Sequence, residues 1–394
     1  MGLTIISALS LAAWLYLTFL RGQFWRASER LAPIPGATNF PPVAVIIPAR
    51  DEAETIAAVV TAHCQSTYPG EIFVTLVDDH SSDATAEIAT AAYEKVISSK
   101  RDANRKFQCL KARPLPRNWS GKLWAVQQGI DHVQKHYSHA KYILFTDADI
   151  EFGANTIQTL VSKAEQGQLA LVSLMVRLDS REWGSLLIPA FIYFFQKLYP
   201  FPLVNNSNID IAAAAGGCML ITAQAIKKID GVTRFKNNLI DDCALAREIK
   251  MTSPTTKIWL GLADREALSL RDNRSFASNW NMVARTAYTQ LNYSPLFLVG
   301  TVAGMFFLYW AAPIIALTAL FQSNFIAALL SISTIALMAC TYWPTLNLYN
   351  RKPWEALLLP LAAMFYTLMT LASALRTWRG KGGQWKGRTY SSSQ

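Results

Sequence analysis

The sequence predicts an α/β domain with a mostly parallel sheet, held at a membrane by an apolar segment before it and further ones after it. Three observations carry this expectation. Between Val43 and about Ser294, short β-branched or aromatic runs alternate with helical segments, the pattern of a parallel sheet covered on both faces. Residues 3–20 form an uncharged apolar run long enough to cross a bilayer core. After Pro295 come the apolar stretches 296–321, 325–343 and 354–375, whose lengths favour membrane segments over core helices. The composition agrees: 52% of the 394 residues are apolar, high for a soluble enzyme and low for a chain wholly inside lipid.

In chain order, the first run (1–21) is followed by arginines, whereas a cleaved signal would carry its positive charge first, so it reads as a retained anchor. The positive-inside bias then puts the N-terminus outside and the chain from Arg21 onward in the cytosol, at the cytoplasmic (inner) membrane. Residues 22–42 form a linker, with four prolines and a glycine between 32 and 42. Strands are expected at 43–47, 72–77, 107–110, 142–146 and 169–172, and helices near 54–64, 84–96, 123–134 and 155–165. Within the domain (43–294), the apolar run 183–204 is interrupted by Pro189, Lys197, Pro200 and Pro202 and reads as an interfacial element, with a buried core helix as the alternative. An anchor plus three crossings (295–376) would leave the basic tail, 377–394, outside. One segment, at Pro313 or Pro360, is therefore expected to be re-entrant or interfacial.

The formal charge of +10 would suit nucleic acid, but Arg21, Arg26, Arg30 and the run from Arg376 to Arg388 flank apolar segments, where charge orients a chain in a membrane. The other basic stretch, 100–117, lacks interleaved stacking aromatics, so no nucleic-acid partner is expected. Cys64, Cys109, Cys218, Cys243 and Cys340 show no metal-ligand spacing and are odd in number, which suits a reducing compartment. His132, His136 and His139 have helical spacing but sit among polar residues on what reads as a solvated helix end.

Five features fall in order at element ends, where ligands bind in such sheets. Pro48, Ala49, Arg50 and Glu52 follow a buried strand that the proline is expected to stop, opening a loop toward a nucleotide. Asp78 and Asp79 stand at the next strand end, where a carboxylate can accept hydrogen bonds from a base or ribose edge; Asp83 reads as a helix cap. Lys122, after Trp119-Ser120-Gly121, offers a point charge to a phosphate or ribose. Asp147 and Asp149 follow the apolar strand 142–146, and a turn there can splay them around one hard divalent cation (Mg²⁺ or Mn²⁺) shared with a diphosphate. Asp241 and Asp242 open a helix, downstream of the small-residue run 212–217, which leaves room for an acceptor.

This order of motifs resembles the family 2 glycosyltransferases of GT-A fold, from Val43 to Arg285. The anchor, the Trp119-Ser120-Gly121-Lys122 sequence, the Asp241-Asp242 pair and the stretch from Met282 to Tyr288 look like the hopanoid-biosynthesis-associated (hopene-associated) branch, akin to ceramide glucosyltransferases. The resemblance implies that Asp79 contacts the uracil or ribose, that Asp147 and Asp149 hold metal and diphosphate, and that Asp242 is the catalytic base. The processive synthases of this family carry Gln-x-x-Arg-Trp, where this chain has Met282-Val283-Ala284-Arg285-Thr286. Only Arg285 survives, which favours single-sugar addition over polymerisation and leaves Arg285 to neutralise the diphosphate or to sit at headgroups.

The expected activity is therefore metal-dependent, inverting transfer of one sugar from a nucleotide-sugar, a UDP-sugar in particular, to a membrane lipid, hopanoid or related. A processive polysaccharide synthase is the alternative within the class. A transporter or scaffold with a regulatory α/β part would need ionisable residues inside the spans, and only Glu355 stands at a span edge. Nucleotidyl transfer would also use paired acids and a metal, but without a separate base at Asp242.

Overall fold

The computed structural model describes residues 1–33, 39–100, 103–180, 186–238 and 240–380, with the backbone of Gln384–Trp385 and Arg388–Thr389. Part of the proline-bearing linker, Trp183 with its neighbours, Leu239 and most of the basic tail lie outside the described residues.

The chain begins with α1 (Gly2–Phe19) and enters the domain at β1 (Val43–Ala49), α2 (Ile56–Cys64), β2 (Ile72–Asp78), α3 (Thr85–Lys100), β3 (Arg105–Lys111), α4 (Gly121–His136), β4 (Tyr142–Phe145), β5 (Ile150–Phe152), α5 (Thr156–Gly167) and β6 (Leu171–Met175). It continues through α6 (Leu187–Leu198), α7 (Phe201–Val204), β7 (Met219–Thr222), α8 (Ala223–Lys228), α9 (Asp241–Lys250), β8 (Ile258–Leu262) and β9 (Ala267–Ser269). Then follow α10 (Phe276–Ala284), α11 (Pro295–Tyr309), α12 (Ala311–Phe321), α13 (Phe325–Leu348) and α14 (Leu359–Trp378).

Strands β1 and β2 are buried along their whole length, as uninterrupted Val/Ile/Leu runs covered on both faces must be. They sit inside a seven-stranded sheet of order β3-β2-β1-β4-β7-β6-β8. All neighbours are parallel except β7, which runs antiparallel to both β4 and β6. The sheet is mixed rather than all parallel, and β5 and β9 form a separate antiparallel ribbon beside it. Two apolar layers cover its faces, one including Ile46, Phe145 and Ile192, the other Val45, Leu144 and Val161.

Pro48 does not stop its strand. β1 runs on to Ala49, in register with Asp78 of β2, and Asp79 donates its amide to the Ala49 carbonyl at 2.8 Å. In a parallel strand alternate residues bond to opposite neighbours. The amide that Pro48 lacks would face β4, whose pairing with β1 has already ended at Ile46 and Phe145, so the proline costs no ladder bond.

Of the stretch 183–204, Leu187–Leu198 and Phe201–Val204 form α6 and α7, parted at Tyr199-Pro200. Along α6, Ile188 and Ile192 pack into the sheet's core, while Leu187, Ala190 and Tyr193 pack into the core of the apolar helices. The helix is thus a joint between the two bodies, apolar on both sides. The stretch 296–321, expected as one segment, is two helices broken at Trp310. The cause is Pro313, which has no N–H for the Tyr309 carbonyl and crowds it. Gly2–Phe19, Leu187–Val204, Phe325–Leu348 and Pro353–Trp378 are long and apolar enough to cross a membrane, by length and composition. Where α1 meets the C-terminal helices, polar contacts accompany the apolar ones, with Ser7 Oγ 3.0 Å from Ser331 Oγ and Trp14 Nε1 donating to the Leu308 carbonyl at 2.7 Å. Apolar surface gives helices no reason to associate in lipid, so such contacts specify the pairing.

Helix α4 lies directly on β1. A Cβ on Gly129 would come 2.5 Å from Ile46 Cγ2, a stiff β-branched methyl in the central sheet. Gly129→Val should lower the unfolding free energy of the purified protein by about 1–3 kcal/mol, the usual cost of overpacking, measured by denaturant titration.

Candidate active site

A cavity of about 1000 Å³ opens at the carboxyl end of β4 and runs into the apolar helices. Its polar end is built from three chain segments. Ser120 caps α4, accepting from the Leu123 amide at 3.3 Å, and the Ser120 amide donates to the Lys236 carbonyl at 2.8 Å. This sets Lys122 in the first turn of α4. The β4 strand ends at Phe145, and Thr146 Oγ1 donates to the Gly217 carbonyl at 2.9 Å, tying the Asp147-bearing turn to the loop before β7. Asp241 and Asp242 occupy the first turn of α9, where the helix dipole favours negative charge.

Lys122 Nζ lies 3.0 Å from Asp147 Oδ1 and 3.3 Å from Asp241 Oδ2. Burial alone would lower the lysine's pKa, but Asp147 and Asp241 outweigh it and hold the pKa above its ordinary value. Asp242 is fixed by backbone donors, from the Gly216 amide to Oδ2 at 2.9 Å and from the Cys243 amide to Oδ1 at 2.7 Å. A Cβ on Gly216 would stand 3.5 Å from both Asp242 Oδ2 and Lys122 Nζ, so the glycine leaves that point open to a ligand. Desolvation and then Asp241 push the Asp242 carboxyl up to about 6, against the opposing pull of Lys122 and the two amides. A carboxylate so poised can take a proton near neutral pH.

The two acids after β4 are splayed. Asp147 goes to Lys122, and Asp149 lies 2.8 Å from Arg271 Nη2, though both line the same cavity. Asp149 is 5% exposed, and burial raises its pKa; Arg271 opposes this and Asp147 adds to it. Among the described residues no three His, Cys, Asp or Glu side chains gather as a metal cage. Two carboxylates that repel each other in a desolvated cleft nevertheless suit a Mg²⁺-like cation, which binds through one or two carboxylates, with phosphates and water completing the shell.

Of the residues singled out in the sequence, Pro48, Glu52, Lys122, Asp147, Asp149, Asp241, Asp242 and Arg285 line this cavity. Ala49, Arg50, Asp78 and Asp79 stand beside it, at the tips of β1 and β2. Arg50 Nη1 donates to the Asp79 carbonyl at 2.7 Å and lies 3.8 Å from Asp79 Oδ2. Asp78 Oδ1 accepts from the amide and hydroxyl of Ser81, so its carboxylate closes a turn. Polar lining residues not selected as site residues in the sequence include Arg271, Tyr199, Gln290 and Lys197. Arg271, in Leu270-Arg271-Asp272-Asn273-Arg274, reads as a charged surface loop. Tyr199 and Gln290, joined from Gln290 Nε2 to Tyr199 Oη at 2.5 Å, carry no motif. Lys197 served in the sequence only as a break in an apolar run.

Residues 44–230 match the family model "Glycosyl transferase family 2". The chain is 28% identical over 173 residues to a 4,4'-diaponeurosporenoate glycosyltransferase of Staphylococcus aureus, covering 43% of this chain and 39% of that one. It is 36% identical over 129 residues to an undecaprenyl-phosphate 4-deoxy-4-formamido-L-arabinose transferase of Serratia proteamaculans, covering 32% and 34%. The chain thus spans between a third and two fifths of the length of these curated relatives. Its fold is similar to that of the mannosyltransferase PcManGT from Pyrobaculum calidifontis, solved with GDP-Man and Mn²⁺, at a TM-score of 0.53 and 17% identity over 95% of this chain and 98% of that one. The mixed, mostly parallel sheet is GT-A-like.

If Asp241 and Lys122 set the Asp242 carboxyl in opposite senses, Asp241→Asn should lower its pKa and Lys122→Met should raise it. Infrared titration of the protonated carboxyl, identified by its loss in Asp242→Asn, reads both shifts. Movement of both in one direction would refute the arrangement.

Proposed function

We propose that the protein transfers a single sugar, with inversion, from a nucleotide-sugar, a UDP-sugar in particular, to a lipid acceptor at the cytosolic face of the cytoplasmic membrane. The observation that carries this reading is one continuous cavity with a carboxylate poised near pH 6 at its polar end and apolar helices along the rest. A water-soluble acceptor would need no such apolar extension. The relatives named for diaponeurosporenoate and for undecaprenyl phosphate support a lipid acceptor. A role in hopanoid metabolism is proposed on the motif resemblance alone, since a fold does not fix a substrate.

In this reading residues 43–294 form the catalytic unit, with 1–21 and 295–376 as its membrane parts. Pro48 and Glu52 border the donor end, and Arg50, Asp78 and Asp79, at the neighbouring strand tips, face the nucleoside. Asp147 and Asp149 would hold a divalent cation, which supplies charge stabilisation to the leaving diphosphate when bound. Lys122 and Arg285 add positive charge around that diphosphate, and fixed charges of this kind act strongly in a cleft with little water. Asp242 accepts the proton of an acceptor hydroxyl, whose oxygen bonds to the anomeric carbon as the bond to the diphosphate oxygen breaks. Inversion follows from attack on the opposite face. The absence of Trp after Arg285 favours one transfer per acceptor.

Asp242→Asn should cut turnover by about 10²- to 10⁴-fold, the usual worth of a general base, while donor binding stays measurable by titration. In the wild type, kcat/KM should fall about tenfold per pH unit below about 6, because only the ionised carboxylate accepts a proton. A profile flat down to pH 5 would remove Asp242 from that role.

Chelation with EDTA should abolish release of nucleoside diphosphate, and Mg²⁺ or Mn²⁺ should restore it. With radiolabelled nucleotide-sugars and native membranes, label should enter the organic phase. Label confined to water would refute the lipid acceptor, and release of pyrophosphate would point to nucleotidyl transfer.

A further inference from the structure

Charge is unevenly distributed along the cavity. At the sheet end, Asp147 and Asp241 are paired with Lys122, and Asp149 with Arg271. On the membrane side the lining carries two cations, Arg21 just after α1 and Lys197 in the last turn of α6. Neither makes a salt bridge among the described residues. Arg21 Nη2 donates to the Leu198 carbonyl at 3.3 Å. Lys197 Nζ donates to the Tyr309 hydroxyl at 2.7 Å and stands 4.7 Å from the centre of that ring and 5.5 Å from the ring of Phe194.

Two like charges on one rim, one of them set against aromatic faces, are unfavourable without an anion. The carboxyl end of α6 offsets them by only about half a unit of negative charge, and cation–π contacts recover part of the lost hydration. The site belongs to the same cavity as the reacting groups, since Lys197 and Tyr199 line it together with Asp242 and Cys243. The donor's diphosphate does not need these cations, since Lys122, Arg271 and Arg285 already stand at the polar end.

We infer that Lys197 and Arg21 form an anion subsite for the acceptor, which is an amphiphile whose headgroup carries an acidic group such as a phosphate monoester, with its apolar tail among α1, α6, α11 and α14. The fit is one of charge and depth: Arg21 directly follows an apolar helix long enough to span a bilayer, at the level where lipid headgroups sit. This deepens the lipid-acceptor reading by naming the headgroup chemistry, and rests on it.

The test is equilibrium binding of tritiated farnesyl phosphate and tritiated farnesol to the full-length protein in phosphatidylcholine nanodiscs. Farnesyl phosphate should bind at least about tenfold tighter. Lys197→Met and Arg21→Gln should each erode that preference, and the double variant should erase it, leaving farnesol binding unchanged. Lys197→Arg should retain it. Equal affinity for the two ligands in the wild type would overturn the subsite. So would a loss in Lys197→Met that falls equally on farnesol, since that marks a packing role. Displacement of farnesyl phosphate by phosphatidylglycerol added to the disc would assign the cations to a resident phospholipid, and displacement by UDP would assign them to the donor; either result overturns an acceptor site. The assay needs no turnover, so an inactive preparation that still discriminates the two ligands would count against the transferase reading and not against the subsite.

Discussion

An ammonium group held between two carboxylates from distant parts of the chain organises the polar end of the molecule. Lys122 belongs to α4, Asp147 to the turn after β4, and Asp241 to the start of α9. Without that charge, Asp147, Asp241 and Asp242 would repel one another in a cleft with little water, and α9 would have no electrostatic reason to sit over the tip of β4. The backbone completes what the lysine begins. Gly216 and Cys243 donate amides to Asp242, so its position follows from main-chain geometry rather than from a flexible partner. A side chain held in this way has lost its freedom before a ligand arrives, and none is lost in binding.

The same constraint reaches the apolar helices through α6. That helix packs Ile188 and Ile192 on the sheet side and Leu187, Ala190 and Tyr193 on the other. Polar contacts reinforce the junction elsewhere: Arg351 Nη1 donates to the Ser180 carbonyl at 2.9 Å while its Nε lies 2.8 Å from Glu355 Oε2. Glu355, the one acid at a span edge, is thereby explained as a structural partner of Arg351 rather than as a transport residue. A domain bound to its helices through both a helix face and the Arg351 hydrogen bond to Ser180 holds its cleft at a fixed depth relative to them.

Much of the sheet was legible in the sequence because buried parallel strands are continuous apolar runs, and the residues at their carboxyl ends are where ligands go. Eight of the twelve residues singled out in the sequence line one cavity: Pro48, Glu52, Asp147 and Asp149 from strand ends, Lys122, Asp241 and Asp242 from helix starts, and Arg285 from the resemblance. Antiparallel β7 was not legible, since four residues, Met219–Thr222, carry no period that fixes a direction. The behaviour of Pro48 depended on which neighbour its missing amide would face, a matter of pairing rather than of residue type. Arg271 was invisible for a different reason. Its contact with Asp149 joins residues far apart in the chain, and a charged pentapeptide after a short strand has no local signature that separates a site loop from a surface loop.

Lys197 shows where such reading inverts. In the sequence it was an argument against a spanning helix, because an apolar run that includes a charge is weakened as a membrane segment. In the fold the same charge points into the cavity from the membrane side, cushioned by Phe194 and Tyr309, while the acids keep to the sheet side. A cavity divided in this way distinguishes its two ligands by the sign of charge each meets before shape is tested. On the proposed reading, a cation-carrying diphosphate is drawn to the end with surplus carboxylate, and an acidic headgroup to the end with surplus ammonium and guanidinium. Electrostatic separation of this kind also disfavours the reversed arrangement, since a headgroup acid beside Asp147 and Asp149 would meet like charge in a poorly hydrated space. The interruption in the apolar run is therefore better understood as part of the site's selectivity than as a flaw in a helix.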